Sequence, residues 1–534
     1  MGRWWQGATL YQLYVRSWQD SDGDGYGDLR GIISRLDHLS WLGADGIWLS
    51  PTMPSPDADW GYDVSDYRDV HQDLGTLDDL DALIAAAAER DMRVLLDLVP
   101  NHTSSAHPWF VESASGRDSA LRDYYVWAGP APDGGPPTNW LDFTGRPAWQ
   151  WDEPSGQYYL HNFLAAQPDL NWWQPRVHEE FEDILRFWFE RGVAGFRIDV
   201  AHGLYKDKLL RDNPPAGASG PLGGRFGQVA RYSMNQAEVH QVYRRWREIA
   251  GGYDSPRLLL GETWVGDLSD LAAFYGRDDE LQLAFNFPFV YAPFRAAELA
   301  AVVDATLAAL PDLACPVWTA SNHDVGRFPS RWCGGDDARV KLALLVMATL
   351  PGTLVLYYGD EIGMTDVAVP PELARDTLDG SSHLGRDRGR TPMQWDDSPS
   401  AGFTRAGVRS WLPAGGAAAR NVTAQRDDPG SVLHFCRDLL RVRREQRGAA
   451  GEQVAGYQRL AAPEGTWRYA SGELEVAANL TGAPASGAWP DGEVLLSTHR
   501  AGPGPGSGQA RPPRPLAGTG VLAPWEGVIT RRSP

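Results

Sequence analysis

Three cysteines in 534 residues, Cys315, Cys333 and Cys436, are too few and too widely spaced for a disulfide framework. They read as reduced thiols, so a cytoplasmic protein is expected. No apolar run approaches the ~20 residues that a membrane span needs. The start, Met1-Gly2-Arg3-Trp4-Trp5, lacks the apolar core of a secretion signal. Positive charge is also scarce: 49 Lys and Arg stand against 69 Asp and Glu, a net charge of −20. Such a surface repels phosphate backbones, which excludes nucleic acid as a partner, and the chain offers nothing to a membrane. No glycine-rich phosphate loop supports a doubly wound nucleotide-binding sheet.

What is abundant is aromatic: 23 Trp and 19 Tyr. Such rings stack on the C–H faces of sugars, and they also fill cores, so composition leaves both readings open. The order of elements is more specific. Eight short apolar runs read as strands: Thr9–Val15, Gly46–Leu49, Arg93–Val99, Gly195–Asp199, Arg257–Glu262, Gln282–Asn286, Val317–Ala320 and Thr353–Tyr357. Helical patterns or long connections separate them. One helix carries Leu29, Ile32, Ile33, Leu36 and Leu39 on one face and stops at Gly43; another starts at Thr76 with an acid, Asp79, three residues on. A third bears Phe181, Ile184, Leu185 and Trp188 and ends at Gly192.

This alternation predicts an α/β fold, a (β/α)8 TIM barrel. Its first part spans residues 1–100. Residues 101–170, rich in Pro, Gly, Asp and Trp, read as a subdomain inserted after the third strand. The barrel resumes over 171–451. Alternating short runs over 452–534 predict a C-terminal antiparallel β-sandwich, with Ala501–Pro515 as a loop.

Barrels of this kind carry their active sites at the C-terminal ends of the strands. There the chain places Asp97 with Asn101 and His102, Arg197 with Asp199, Glu262, and His323 with Asp324. Any one of these could be a structural cap; polar groups ending several strands on one face are a candidate site. Two carboxyl groups, one ionised and one protonated, are what cleavage of a glycosidic bond requires. Arg197 lies two residues before Asp199, so both side chains share a face. That guanidinium is expected to hold Asp199 ionised at a lowered pKa. Glu262 has no cation adjacent in sequence and is the better proton donor.

Gly195-Phe196-Arg197-Ile198-Asp199-Val200, Gly261-Glu262-Thr263-Trp264, Ser321-Asn322-His323-Asp324 and Asp97-Leu98-Val99-Pro100-Asn101-His102 resemble, in order and spacing, the signatures of the α-amylase family (glycoside hydrolase family 13). The resemblance implies that Asp199 is the nucleophile, Glu262 the general acid/base, and Asp324 the residue that binds sugar hydroxyls and stabilises the transition state. It further implies that His102, Arg197 and His323 hold the sugar.

Three more segments resemble the α-glucosidase and oligo-1,6-glucosidase branch: Asp59-Trp60-Gly61-Tyr62-Asp63, Gln167-Pro168-Asp169-Leu170-Asn171-Trp172 and Arg390-Thr391-Pro392-Met393-Gln394-Trp395. In that branch Tyr62 would be a stacking platform, Gln167 and the aromatic Phe143 and Phe163 would line the pocket, and a salt bridge between Asp59 and Arg390 would close the pocket beyond one glucose. An exo-acting, retaining enzyme on small oligosaccharides follows from that likeness. Val200, directly after the nucleophile, is a residue the branch associates with α-1,6 action. The segment Ala201–Asp207 and the stretch Asn213–Arg225 instead resemble α-glucosidases acting on maltose-like α-1,4 substrates, the favoured expectation. An oligo-1,6-glucosidase, or a transferase or isomerase such as trehalose synthase, is the alternative on the same scaffold.

Asp20-Ser21-Asp22-Gly23-Asp24-Gly25-Tyr26-Gly27-Asp28 offers hard oxygen ligands on a tight loop. An EF-hand needs Glu at its twelfth position, where this chain has Gly31, so that reading fails. The resemblance implies a structural Ca2+, or Mg2+, held by Asp20, Asp22, Asp24, Asp28 and the Tyr26 carbonyl, and no organic cofactor.

Overall fold

The computed structural model describes residues 3–216, 227–376, 385–418, 420–450, 456–489, 492–499 and 520–532. Eight parallel strands form one sheet: β1 (Thr9–Leu13), β2 (Gly46–Leu49), β3 (Arg93–Leu98), β4 (Gly195–Ile198), β5 (Leu258–Gly261), β6 (Leu283–Ala284), β7 (Val317–Trp318) and β8 (Thr353–Tyr357). Their spatial order is β7-β8-β1-β2-β3-β4-β5-β6. This is the expected barrel. β6 and β7 are only two residues long, shorter than their apolar runs predict. Tyr275 spans that seam: its hydroxyl donates to Cys315 O at 3.0 Å and accepts from Ala284 N at 3.2 Å.

The apolar runs are buried on both faces, which is why they read as continuous rather than alternating. One core, including Leu10, Trp48, Leu95, Leu260 and Val355, fills the barrel interior. A larger one lies under the helices. The helix starts follow their sequence signals. Thr76 Oγ1 accepts from Asp79 N at 3.2 Å while Asp79 Oδ2 accepts from Thr76 N at 3.0 Å, a closed capping box. The helix Leu29–Leu42 ends at Gly43, whose φ of 102° needs a residue without Cβ.

Between β3 and β4, a helix (Pro108–Ala114) and a three-stranded antiparallel sheet (Trp127–Ala128, Gln157–Leu160, Trp149–Asp152) form the insertion. After the helix Val432–Ala450 come a five-stranded antiparallel sheet and a two-stranded one, Ala485–Ser486 with Val521–Leu522. Most of the stretch Asn213–Arg225 and all of Ala501–Pro515 lie outside the described residues. Cys315, Cys333 and Cys436 are free and buried. Among the described residues no helix is long and apolar enough to cross a membrane.

Candidate active site

The register of β3 and β4 sets Asp97 directly beside Arg197. Asp199 follows β4 by one residue on the same face, and Glu262 follows β5. Arg197 therefore meets three carboxyl groups. Its Nη1 donates to Asp97 Oδ1 at 2.9 Å and to Asp199 Oδ1 at 2.6 Å, and its Nη2 lies 3.1 Å from Glu262 Oε1. Glu262, with no cation adjacent in sequence, thus shares Arg197 in space. Adjacency in sequence missed the contact because β4 and β5 are neighbours in the barrel, with Arg197 opposite Leu260.

One guanidinium among three carboxyl groups would leave a net charge of −2 if all were ionised. Burial pushes the Asp97 carboxyl up to about 6, with Glu262 adding to the rise and Arg197 opposing it. Burial also raises Asp199 well above the usual carboxylate range; Glu262 and Asp97 push the same way against Arg197. The lowered pKa expected for Asp199 is corrected accordingly: desolvation and two like charges outweigh one cation. The cluster retains a proton on its Asp199–Asp97 side, so attack by Asp199 requires that proton to leave its carboxyl first.

Val200 has φ 43°, the left-handed region that a β-branched residue rarely enters. That turn aims its backbone N–H at Glu262 Oε2, 3.0 Å away.

A second group surrounds His323. Gln12 Nε2 lies 2.8 Å from its Nδ1, and its Nε2 lies 2.6 Å from the Tyr62 hydroxyl and 3.1 Å from Asp324 Oδ2. Tyr62 stacks on the imidazole at 5.3 Å between ring centroids and donates to Asp97 Oδ2 at 3.0 Å. This ties the His323 group to the carboxyl cluster. Burial alone would raise Asp324, but the His323 ring, Arg386 and Arg390 hold its carboxyl well below the ordinary range. The structure thus gives the candidate site one firmly ionised carboxylate and, across it, a proton-retaining cluster.

The predicted Asp59–Arg390 salt bridge is not the one formed. Asp59 Oδ1 pairs with Arg386 Nη2 at 2.6 Å. Arg386 also reaches Asp324 Oδ1 at 3.0 Å and Asp376 Oδ1 at 2.7 Å. Arg390 instead donates to His323 O at 2.8 Å and to Asp324 Oδ1 at 3.0 Å, with its guanidinium 5.3 Å from the Tyr14 ring. The reason is a 3-10 turn over Arg386–Gly389, which sets the two arginines at different places along the wall.

The remaining pocket residues converge. Gln167 Nε2 donates to Asp59 Oδ2 at 3.3 Å. His102 donates from Nε2 to Tyr62 O at 3.1 Å and accepts at Nδ1 from the Asn101 amide at 3.1 Å. Burial lowers its pKa to about 4, so it is neutral at pH 7. Phe163 lies 5.1 Å from the His102 ring and stacks on Phe143 at 5.4 Å; Phe143 meets Trp264 edge-on at 5.3 Å. Beneath them the buried Lys206 donates to Asn101 Oδ1 at 2.8 Å and Gly203 O at 2.7 Å, and pairs with Asp169 Oδ2 at 2.6 Å. It knots the insertion to the loops after β3 and β4.

In the acidic loop, Asp20, Asp22 and Asp24 each offer a carboxylate oxygen within 4.8 Å of the others. Asp20 Oδ2 also accepts from Gly25 N at 2.9 Å and from Thr404 Oγ1 at 2.5 Å. Asp28 is not in that group. It caps the helix at Leu29, accepting from Gly31 N at 2.7 Å, and takes Ser21 N at 2.7 Å. The Tyr26 N–H donates to Asp24 Oδ1 at 2.7 Å. Burial and the charges of Asp22 and Asp20 raise Asp24.

Sequence reasoning missed Arg386, Gln12, Lys206 and Trp264 as site residues. Gln12 had a signal: a polar residue inside the wholly buried β1. Arg386, four residues before a recognised motif, had none.

The alpha-amylase catalytic-domain model matches residues 12–450. A probable alpha-glucosidase of Rhizobium meliloti (strain 1021) is 42% identical over 473 residues, 84% of each chain. An oligo-1,6-glucosidase of Parageobacillus thermoglucosidasius is 36% identical over 83% of this chain and 84% of its own. Among solved structures, an alpha-glucosyl transfer enzyme superposes with TM-score 0.88 at 36% identity, covering 99% of both chains. The trehalulose synthase of Pseudomonas mesoacidophila MX-45 does so with TM-score 0.88 at 31% identity, covering 99% of this chain and 100% of its own. With four signature segments gathered at one end of the barrel and a family model spanning most of its length, this chain belongs to the α-amylase family and is a glycoside hydrolase.

Proposed function

We propose that the protein is an exo-acting, retaining α-glucosidase that releases terminal glucose from short α-glucosides, α-1,4-linked ones in preference. The observation that carries this reading is the ion-pair wall: Arg386 bridges Asp324, Asp59 and Asp376, so a sugar lying against Asp324 meets a closed end. A long chain cannot thread past such a wall.

With the cluster's proton on Glu262 and Asp199 ionised, Asp199 attacks the anomeric carbon as Glu262 protonates the departing glycosidic oxygen, leaving a covalent glucosyl-enzyme. Glu262 then takes a proton from water, and the hydroxide displaces Asp199 with net retention. Both carboxyl groups are gripped by one guanidinium, which favours the close spacing a nucleophilic mechanism needs. Asp324 and Arg390, with neutral His102 and His323, orient the sugar hydroxyls. Phe143, Phe163 and Trp264 offer apolar faces. If a sugar hydroxyl replaces water, the same intermediate gives transglucosylation, the chemistry named for the alpha-glucosyl transfer enzyme among the structural neighbours.

Asp20, Asp22 and Asp24 fit a hard divalent cation, Ca2+ before Mg2+, because their donors are all oxygens. When bound, the ion would offset two of the three negative charges of the converging carboxylates. It takes no part in catalysis. Asp28 and Tyr26 support the loop through the hydrogen bonds described above.

Initial rates on maltose, isomaltose, sucrose and longer maltooligosaccharides, with product analysis, test the reading. Glucose released first as the α-anomer, with rates falling as chains lengthen, is the expected result. Faster isomaltose cleavage would make it an oligo-1,6-glucosidase, trehalose from maltose an isomerase, and internal cleavage of long chains would overturn the exo assignment. Asp199→Asn hydrolysing p-nitrophenyl α-glucoside as well as the parent would overturn the nucleophile.

A further inference from the structure

Gln12 is fully buried in β1, between the buried Tyr11 and Leu13. A buried amide costs stability unless its polar atoms find partners. Its Oε1 has no hydrogen-bond partner, whereas its Nε2 lies 2.8 Å from His323 Nδ1. The other side of the same ring decides what that contact means. His323 Nε2 is 3.1 Å from Asp324 Oδ2, and an ionised carboxylate can only accept, so a bare Nε2 would set lone pair against lone pair and a proton on Nε2 is the favoured state. The Tyr62 hydroxyl, 2.6 Å from Nε2, donates its own proton to Asp97 Oδ2 and so accepts as well. The ring is held neutral: burial, Arg390, Arg197 and Arg386 all disfavour a second proton, against the pull of Asp324. A neutral imidazole with Nε2–H has a bare Nδ1, and among the described residues the group placed to donate to it is the Gln12 amide.

We infer that Gln12 is a positioning residue: its side-chain amide donates to His323 Nδ1, confines the ring proton to Nε2, and so aims Nε2–H at the Tyr62 hydroxyl, the Asp324 carboxylate and the sugar beside them. The sugar's place rests on the glucosidase reading; the tautomer does not. With Arg390 Nε also bonded to His323 O, the residue is held at both its backbone and its ring. The groups facing the ring are Gln12, Tyr14, Trp48, Tyr62, Asp324, Arg197, Arg386 and Arg390. None of the others is shown offering Nδ1 a proton.

Two variants separate this role from simple packing. Gln12→Leu fills nearly the same volume and removes the donor. Gln12→Glu keeps the shape and makes the donor titratable. At acidic pH the introduced carboxyl and the His323 ring together hold one extra proton, and wherever that proton sits, Nε2–H is kept. At alkaline pH they lose it, Nδ1 is protonated toward the carboxylate, and Nε2 is left bare against Asp324. Ring-nitrogen NMR of 15N-histidine-labelled protein, with the His323 signals identified by their loss in His323→Gln, reads the tautomer without substrate. The parent should show Nε2 protonated and Nδ1 unprotonated, and Gln12→Leu a mixture of tautomers. On p-nitrophenyl α-glucoside, Gln12→Leu should lose roughly tenfold in kcat/KM, with its thermal midpoint as the folding control. Gln12→Glu should gain an alkaline limb in its pH profile that the parent lacks. A parent ring protonated at Nδ1, an unchanged tautomer in Gln12→Leu, or a Gln12→Glu profile parallel to the parent's would each overturn the inference. If the protein lacked glucosidase activity altogether, the NMR result would still decide it.

Discussion

The backbone N–H of Val200 donates to Glu262 Oε2 at 3.0 Å, from a residue held at φ 43°. Position 200 therefore acts on the proposed acid/base through its main chain. The strain of a β-branched residue there is of order 1–3 kcal/mol. Val200 is 4% exposed, and losing its buried side chain costs about 1.5–3 kcal/mol. Val200→Gly relieves the first and incurs the second, so its unfolding free energy should stay within about 1–2 kcal/mol of the parent. The catalytic effect should be larger: the ratio of maltose to isomaltose kcat/KM should change. An unchanged ratio would remove Val200 from linkage selection.

Arg386 serves three carboxylates. Arg386→Ala leaves Asp59 and Asp376 buried without their main cation, which costs on the order of 3–5 kcal/mol. KM for maltose should rise, and the rate on long maltooligosaccharides relative to maltose should increase as the wall opens. Arg386→Lys should recover little, because an ammonium cannot reproduce a planar fork. A chain-length preference identical to the parent's in both variants would show that the wall does not limit the pocket.

Asp360 predicts a pH effect away from the site. Burial pushes its carboxyl up to about 7, with Glu361 adding to the rise and Arg327 opposing it. The folded protein then binds more protons than the unfolded chain between about pH 4 and pH 7, so stability falls as pH rises through that window. Asp360→Asn keeps an acceptor for the Tyr357 N–H and cannot ionise. It should stabilise the protein by about 1–4 kcal/mol at about pH 8 and by less at about pH 5. Chemical denaturation at the two values measures the difference; a gain independent of pH would refute the titration argument.

The acidic loop predicts cation-linked stability. Adding Ca2+ to chelator-treated protein should raise the melting temperature, by an amount corresponding to about 2.7 kcal/mol when the ion is at 100 times its Kd. Asp22→Asn with Asp24→Asn should abolish the rise, while Asp28→Ala should lower stability with or without Ca2+, because it removes a helix cap. If Ca2+ protects the double variant equally, the ion binds elsewhere.

The eight strands, the capping box at Thr76, the stop at Gly43 and the placing of Asp199, Glu262 and Asp324 at strand ends were legible in the chain. Each follows from local periodicity, a local hydrogen bond or a motif of adjacent residues. Pairings were not legible where they join segments far apart in the chain. Arg197 looked like the partner of Asp199 alone and proved to hold Glu262 and Asp97 too. Asp59 was assigned to Arg390 and is held by Arg386. Asp28 looked like a metal ligand alone and also caps the helix at Leu29.

Sequence alone therefore determined which residues are available to the chemistry and that they meet at one end of a barrel. Tertiary structure decided how charge is shared among them. Desolvation depends on everything packed around a group, and a guanidinium bonds whichever carboxylates the barrel closure brings within reach. That is why the direction of the Asp199 shift, the ion-pair wall at Arg386 and the proton on His323 could be settled only once strands distant in the chain lay side by side.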